Sequence, residues 1–148
     1  MTDVHDPATR SRNMAAIRSR DTKPELAVRH ALHRRGLRYR LHAQLPGHPD
    51  MVFTKYRAVI FVHGCFFHRH ECDTFRWPET RAEFWRAKIE GNAARDRRTQ
   101  AALHTAGWRV GVVWECALRG KAGGQVEQIA ERLEGWLRGV RIGIEICA

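Results

Sequence analysis

Cys65, His70 and Cys72 fall within eight residues of chain, and Cys116 follows the apolar run Val110–Trp114 at one remove. Three thiolates and one imidazole make a closed tetrahedral set for structural zinc. The spacing Cys-x4-His-x-Cys departs from the common finger patterns. The two-residue step from His70 to Cys72 nevertheless places both side chains on one side of an extended segment. Arg69, Glu71 and Asp73 around the thiols do not resemble a core, which favours a metal over three buried free thiols. His68 is the other nearby candidate for the imidazole ligand. Cys147, in the tail, has no partner by spacing and reads as a plain thiol.

A second group of residues suits hydrolysis. Asp50 sits just past a Gly-His-Pro break at the mouth of an apolar run, and a second run delivers His63. A carboxylate beside an imidazole in that setting can hold a hard divalent cation against a phosphate. Pro-Asp at a turn is also ordinary turn chemistry. His63 and His68 flank Cys65, so a metal there would fix both. Asp96 lies among Arg95, Arg97 and Arg98; a histidine paired with a carboxylate is a competent general base, whereas Asp96 among arginines is also an everyday surface ion pair. Phe66 and Phe67 are consecutive and would point opposite ways in an extended loop, with Trp77 and Trp85 close behind. Aromatics beside basic residues suit stacking on bases or wedging between base steps, although Phe84-Trp85 on a helix also fits a core.

The surrounding pattern alternates helices with strands. Ala8 to Ser19 reads as a short basic helix carrying Arg10, Arg12 and Arg18. Thr22 and Glu25 have capping-box spacing, Pro24 stands in the first turn and Gly36 closes that helix, with Val28, Ala31 and Leu32 inward and Arg29, Arg34 and Arg35 outward. Leu37, Tyr39 and Leu41 alternate with Arg38, Arg40 and His42 like a half-buried strand. Asp50–Phe53 and Ala58–Val62 follow as two further runs, the second apolar throughout and therefore central. Thr80 and Glu83 have the spacing of another capping box, opening a long helix to about Thr105. Val110–Trp114 is a buried strand, Gln125–Arg138 an amphipathic helix, and Ile142, Ile144 and Ile146 alternate as an edge strand. We expect an α/β class, one small mixed sheet flanked by helices.

Composition narrows the partners. The 148 residues carry 26 Lys+Arg against 16 Asp+Glu, a formal net charge of +10. That length suits a single domain over 1–148, with 1–20 as a basic arm and 139–148 as a tail. The 43% apolar content is enough for a packed core, and the charges are not gathered into a disordered tail. So basic a surface points to a polyanion, most simply nucleic acid. No apolar run approaches the roughly 18–20 residues of a membrane span. The opening Met1-Thr2-Asp3-Val4-His5-Asp6 has no signal-peptide core, so a cytoplasmic protein with reduced thiols is expected.

The loop His63-Gly64-Cys65-Phe66-Phe67-His68-Arg69-His70-Glu71-Cys72 resembles the signature of the very-short-patch-repair endonucleases of bacteria. Asp3-Val4-His5-Asp6, Arg10-Ser11-Arg12-Asn13-Met14, Leu45-Pro46-Gly47-His48-Pro49-Asp50, Arg81-Ala82-Glu83-Phe84-Trp85 and Val113–Gly120 fit the same family, so the resemblance runs to about residue 138. It implies a fold similar to type II restriction endonucleases. It also implies a magnesium-dependent nick on the 5′ side of the thymine in a T:G mismatch, left when 5-methylcytosine deaminates.

Carried over by position, the resemblance makes Asp50 the central magnesium ligand and the main-chain carbonyl of Val62 a second, around two ions. His63 would sit at the metal–phosphate centre, His68 oriented by Asp96 would be the general base, and Glu25 would lie near the site. Cys65, His70, Cys72 and Cys116 match the structural zinc ligands. Phe66, Phe67 and Trp85 match the intercalating wedge, and Arg10, Arg12 and Arg18 the arm that grips the DNA backbone. Further implied partners are a mismatch-repair matchmaker protein and a DNA polymerase, and the expected state is a monomer, nucleoid-associated. Four positions depart from the family pattern: Val62 replaces Thr, Phe67 replaces Trp, and Arg69 and Glu71 stand where histidines occur. The alternatives are a zinc-stabilised nucleic-acid-binding module without catalysis, and a restriction-type endonuclease cutting matched duplex.

Overall fold

A computed structural model describes residues 22–70, 75–118 and 124–147. The expected basic helix with Arg10, Arg12 and Arg18, and Cys72, lie outside the described residues. The elements run α1 (Lys23–Arg34), β1 (Met51–Phe53), a 3-10 turn (Thr54–Tyr56), β2 (Ala58–His63), α2 (Ala82–Thr105), β3 (Arg109–Trp114), the single turn α3 (Glu115–Leu118), α4 (Gly124–Arg138) and β4 (Gly143–Ile146). The four strands form one sheet in the order β1-β2-β3-β4. β1 and β2 are an antiparallel hairpin with Met51 opposite Ile60, while β2–β3 and β3–β4 are parallel. The sheet is therefore mixed, as the alternation of helices and strands predicts.

Period-2 alternation divides the core between the two faces of this sheet. Met51, Phe53, Ala58, Ile60 and Val113 pack with Val28 and Leu32 of α1 and with Ile129, Leu133 and Trp136 of α4. Val52, Val59, Phe61, Val112 and Trp114 point the other way, packing with Leu103 of α2 and with Cys65 and Cys116. β2 is covered on both sides, which its uninterrupted apolar run requires. Arg34 and Arg35 pair with Glu127 and Glu134, tying α1 to α4 across the first layer. Among the described residues, no helix is long and apolar enough to cross a membrane.

Three expectations need correction. Leu37–Leu41 is not a strand: only Arg40 bridges to Val52, because His42 adopts a left-handed backbone (φ 59°) and turns the chain away. The cap position of α2 falls on Arg81, itself left-handed (φ 53°), so Thr80 stands one residue too early to close a box with Glu83. Arg29 is not outward-facing; it is 8% exposed, drawn in by an ion pair with Glu25.

Candidate active site

Asp50 is delivered by a loop that must press close to α2. Gly47 has φ +75°, and a Cβ there would lie 2.3 Å from Thr99 Cγ2, so only glycine lets the loop settle on the helix. Pro49 is then buried and Asp50 enters β1. Its Oδ2 accepts from the backbone N–H of Val62 at 2.6 Å, pinning the carboxylate to the end of β2. Glu25 arrives from the first turn of α1, where it closes the capping box with Thr22 as the spacing predicts. Its other oxygen accepts from Arg29 Nη2 at 2.7 Å, and its carboxyl group meets that of Asp50. Burial, and the proximity of Glu25, push Asp50 up to about 7 against the pull of the Val62 amide and Arg29. Two carboxyl groups in contact in a buried setting form a site that a divalent cation would relieve.

The imidazoles stand on the other wall of the same cleft. It measures about 220 Å³ and is lined by Asp50, Val62, His63, His68 and Asp96, with His48 and Arg95 at its sides. His63, the last residue of β2, is 7% exposed, and its buried Nδ1 has no hydrogen-bond partner among the described residues. Burial, aided by the neighbouring His68, pushes it down to about 3. His63 is therefore a neutral ring near pH 7. The His68 ring stacks on it at 3.9 Å with an interplanar angle of 2°. His68 Nδ1 donates to Asp96 Oδ2 at 2.5 Å, so the carboxylate fixes ring orientation and leaves Nε2 as the proton-handling atom. Asp96 is thus no ordinary partner of its flanking arginines.

The thiols gather where the two central parallel strands end. Cys65 follows β2 by two residues and Cys116 follows β3 by two, and both are buried. Each Sγ lies 3.5 Å from His70 Nδ1, and the three donor atoms sit within 4.8 Å of one another. His70, not His68, is the imidazole of this cluster. Two buried thiols and a half-buried imidazole converging on one point fit a zinc ion. The His70 ring is stacked on Trp114 at 4.2 Å and 6°.

Beside the cleft, Phe66 meets Phe67 at 5.1 Å and Trp85 at 5.5 Å, edge to face. All three are half-buried, so they form one cluster at the surface, and Asn92 of α2 holds the loop by donating to the carbonyl of Phe67. Sequence reasoning missed three things here. Arg29 buttresses Glu25, a role that i,i+4 spacing could have signalled. Arg95, Thr99 and Gln100 line the cleft one, three and four residues from Asp96, a helical periodicity available in the sequence. Trp114 between the two histidine groups carried no prior signal.

A family model described as DNA mismatch endonuclease Vsr matches residues 2–74. The DNA mismatch endonuclease Vsr of Escherichia coli K12 is 53% identical over 140 residues, covering 94% of this chain and 90% of its own. The type II nicking enzyme V.XorIIP of Xanthomonas oryzae is 52% identical over 119 residues, covering 80% of this chain and 88% of its own. The nicking enzyme V.NmeAIP of Neisseria meningitidis is 42% identical over 123 residues, covering 82% and 88%. Identity of that order across almost the whole length assigns the chain to the Vsr family of DNA mismatch endonucleases.

Proposed function

We propose that this protein nicks DNA 5′ of the thymine in a T:G mismatch by magnesium-dependent hydrolysis. The observation that carries this reading is the convergence in one cleft of Asp50, the buried His63 and the His68–Asp96 pair, beside an aromatic cluster. Asp50 and the main-chain carbonyl of Val62 would hold magnesium, which supplies charge neutralisation at the phosphate. Glu25 would bear on that site through Asp50. His68, oriented by Asp96, takes a proton from the attacking water at Nε2. Neutral His63 lines the cleft against the His68 ring without adding charge to it. Cys65, His70, Cys116 and Cys72 would hold zinc in a structural role, keeping the loop that carries His68 and the phenylalanines.

Selectivity rests on deformation. A T:G wobble stacks less firmly than a Watson–Crick pair, so driving Phe66, Phe67 and Trp85 into that step costs less than the few kcal/mol of unstacking a matched step. The basic arm with Arg10, Arg12 and Arg18 would hold the opposite side of the duplex. On the family resemblance, a matchmaker protein and a DNA polymerase act with the enzyme. The test is strand-resolved cleavage of T:G and matched duplexes with and without magnesium. Nicking of the T strand alone is expected. Asp50→Ala should abolish it, since losing several kcal/mol of transition-state stabilisation is roughly a thousandfold in rate. Cutting retained by Asp50→Ala, or cutting of both strands of matched duplex, would overturn the proposal.

A further inference from the structure

Trp114 is the last residue of β3, 9% exposed, and its indole is held from three sides. One side is the His70 ring, parallel to it at 4.2 Å. Its neighbours on another are the stacked imidazoles, His63 at 5.3 Å and His68 at 6.4 Å, both at 68°. At its rim, Nε1–H donates to Glu145 Oε1 of β4 at 2.6 Å. The indole is thus the one ring that touches both the thiol-cluster imidazole and the cleft imidazoles among the described residues.

Those contacts define a mechanical arrangement. His68 lies on a loop, and its orientation depends on Asp96 at one nitrogen and on ring packing elsewhere. His63 is stacked on His68 at 3.9 Å, so a tilt of one ring displaces the other. Register fixes both ends of the pair: His63 is the Cα partner of Trp114 across the β2–β3 ladder, and Val113 pairs with Ile146 beside Glu145. The sheet therefore sets the indole, the Glu145 bond sets its rotation about Cβ, and the indole edge sets the imidazole stack. A ring displaced by about 1 Å can cost on the order of 10²-fold in rate.

We propose that Trp114 is a positioning residue for the hydrolytic histidines, locking the His63–His68 stack to the thiol cluster through His70 and to the sheet through Glu145. It touches no substrate. This inference rests on the hydrolytic reading of the cleft, so its test needs one arm that requires no reaction.

Four variants form the test: Trp114→Leu, Trp114→Phe, Glu145→Ala and Glu145→Gln, each assayed well below its own melting temperature and with zinc content measured. Trp114→Leu should lower kcat for nicking about 10- to 100-fold while leaving KM for the mismatched duplex within about threefold. Trp114→Phe keeps an aromatic edge and should lose less than about fivefold. Glu145→Ala should fall between them, and Glu145→Gln, whose amide oxygen still accepts from Nε1–H, should restore the wild-type rate. The second arm records the ring C–H signals of His63 and His68 by NMR in the DNA-free protein. Ring-current shifts should collapse and the signals broaden in Trp114→Leu, and not in Glu145→Gln. An unchanged kcat in Trp114→Leu, a loss confined to KM, or undisturbed imidazole signals would overturn the proposal. If the wild-type protein nicks nothing, the hydrolytic reading fails, and the NMR arm still decides whether Trp114 positions the rings.

Discussion

The cleft and the thiol cluster grow from the same two strand ends, two residues apart, and are built on opposite rules. Beyond His63 on β2 comes Cys65, and beyond Trp114 on β3 comes Cys116. In the thiol cluster two buried Sγ atoms each lie 3.5 Å from Nδ1 of the half-buried His70, a compact donor set turned in on itself. In the cleft about 220 Å³ stays open, lined by Asp50, whose carboxyl group meets that of Glu25, and by the stacked imidazoles. On the proposed reading, the first arrangement would convert its donors into stability by binding a metal, and the second would keep its polar groups available for a reacting phosphate. Disturbing the two should therefore have different readouts although they are neighbours.

The largest effect is expected from the closed site. Because a structural metal set contributes its binding free energy to folding, stripping zinc with a strong chelator, or replacing Cys116 by Ala, should lower Tm by at least ~10 °C. Asp50→Ala, by contrast, should leave Tm within a few degrees while abolishing cleavage. A melting temperature indifferent to both chelator and Cys116→Ala would erase the distinction. The next effect sharpens the open side. Asp96→Asn keeps the shape beside His68 but removes the carboxylate that orients and stabilises its ring. Nicking should drop about 10²-fold with duplex affinity unchanged. An equal loss of affinity in a binding assay would instead place Asp96 among the DNA-gripping residues.

How much of this was legible depended on whether the information was local. α1 and α4 announced themselves because capping and the period of 3.6 lie within one segment, as at Thr22–Glu25 and at Val126, Ile129 and Leu133. The β2 run was legible because a strand buried on both faces needs apolar residues throughout. Leu37–Leu41 misled because its alternation meets only a single bridge, Arg40 to Val52, before the turn at His42, with no further ladder partner among the described residues. The convergence of Cys65 and His70 was legible because only four residues separate them. Nothing local could show that Glu25 meets Asp50, that Arg29 turns inward to support it, or that Trp114 lies between the two histidine groups. Those contacts exist only once α1, β1 and β3 are assembled. The resemblance to a known family suggested roles for Asp50, His63 and His68 and put Glu25 near the site, but was silent on Arg29 and Trp114.

The smallest expected effect separates the two ionisable groups within the cleft itself. In the metal-free protein Asp50 is pushed up to about 7 from an ordinary 3.8, and His63 down to about 3 from 6.5. A raised acid favours the fold at low pH, and its contribution is lost as pH climbs toward 7. A depressed histidine does the reverse: its contribution is present above 6.5 and lost as pH falls toward 3. Between about pH 4 and 6.5 unfolding releases a proton at Asp50 and takes one up at His63, so the two slopes cancel and this pair leaves stability flat with pH. Asp50→Asn removes one side of the balance. Denaturant unfolding of the metal-free variant should then show stability rising across that window by up to ~1.4 kcal/mol per pH unit more than wild type. It should also show the variant more stable than wild type at pH 8, where wild type buries a charged Asp50. Parallel pH profiles for the two proteins would mean that Asp50 is not held neutral by burial and Glu25, and the cleft would lose its claim to differ from an ordinary solvated turn.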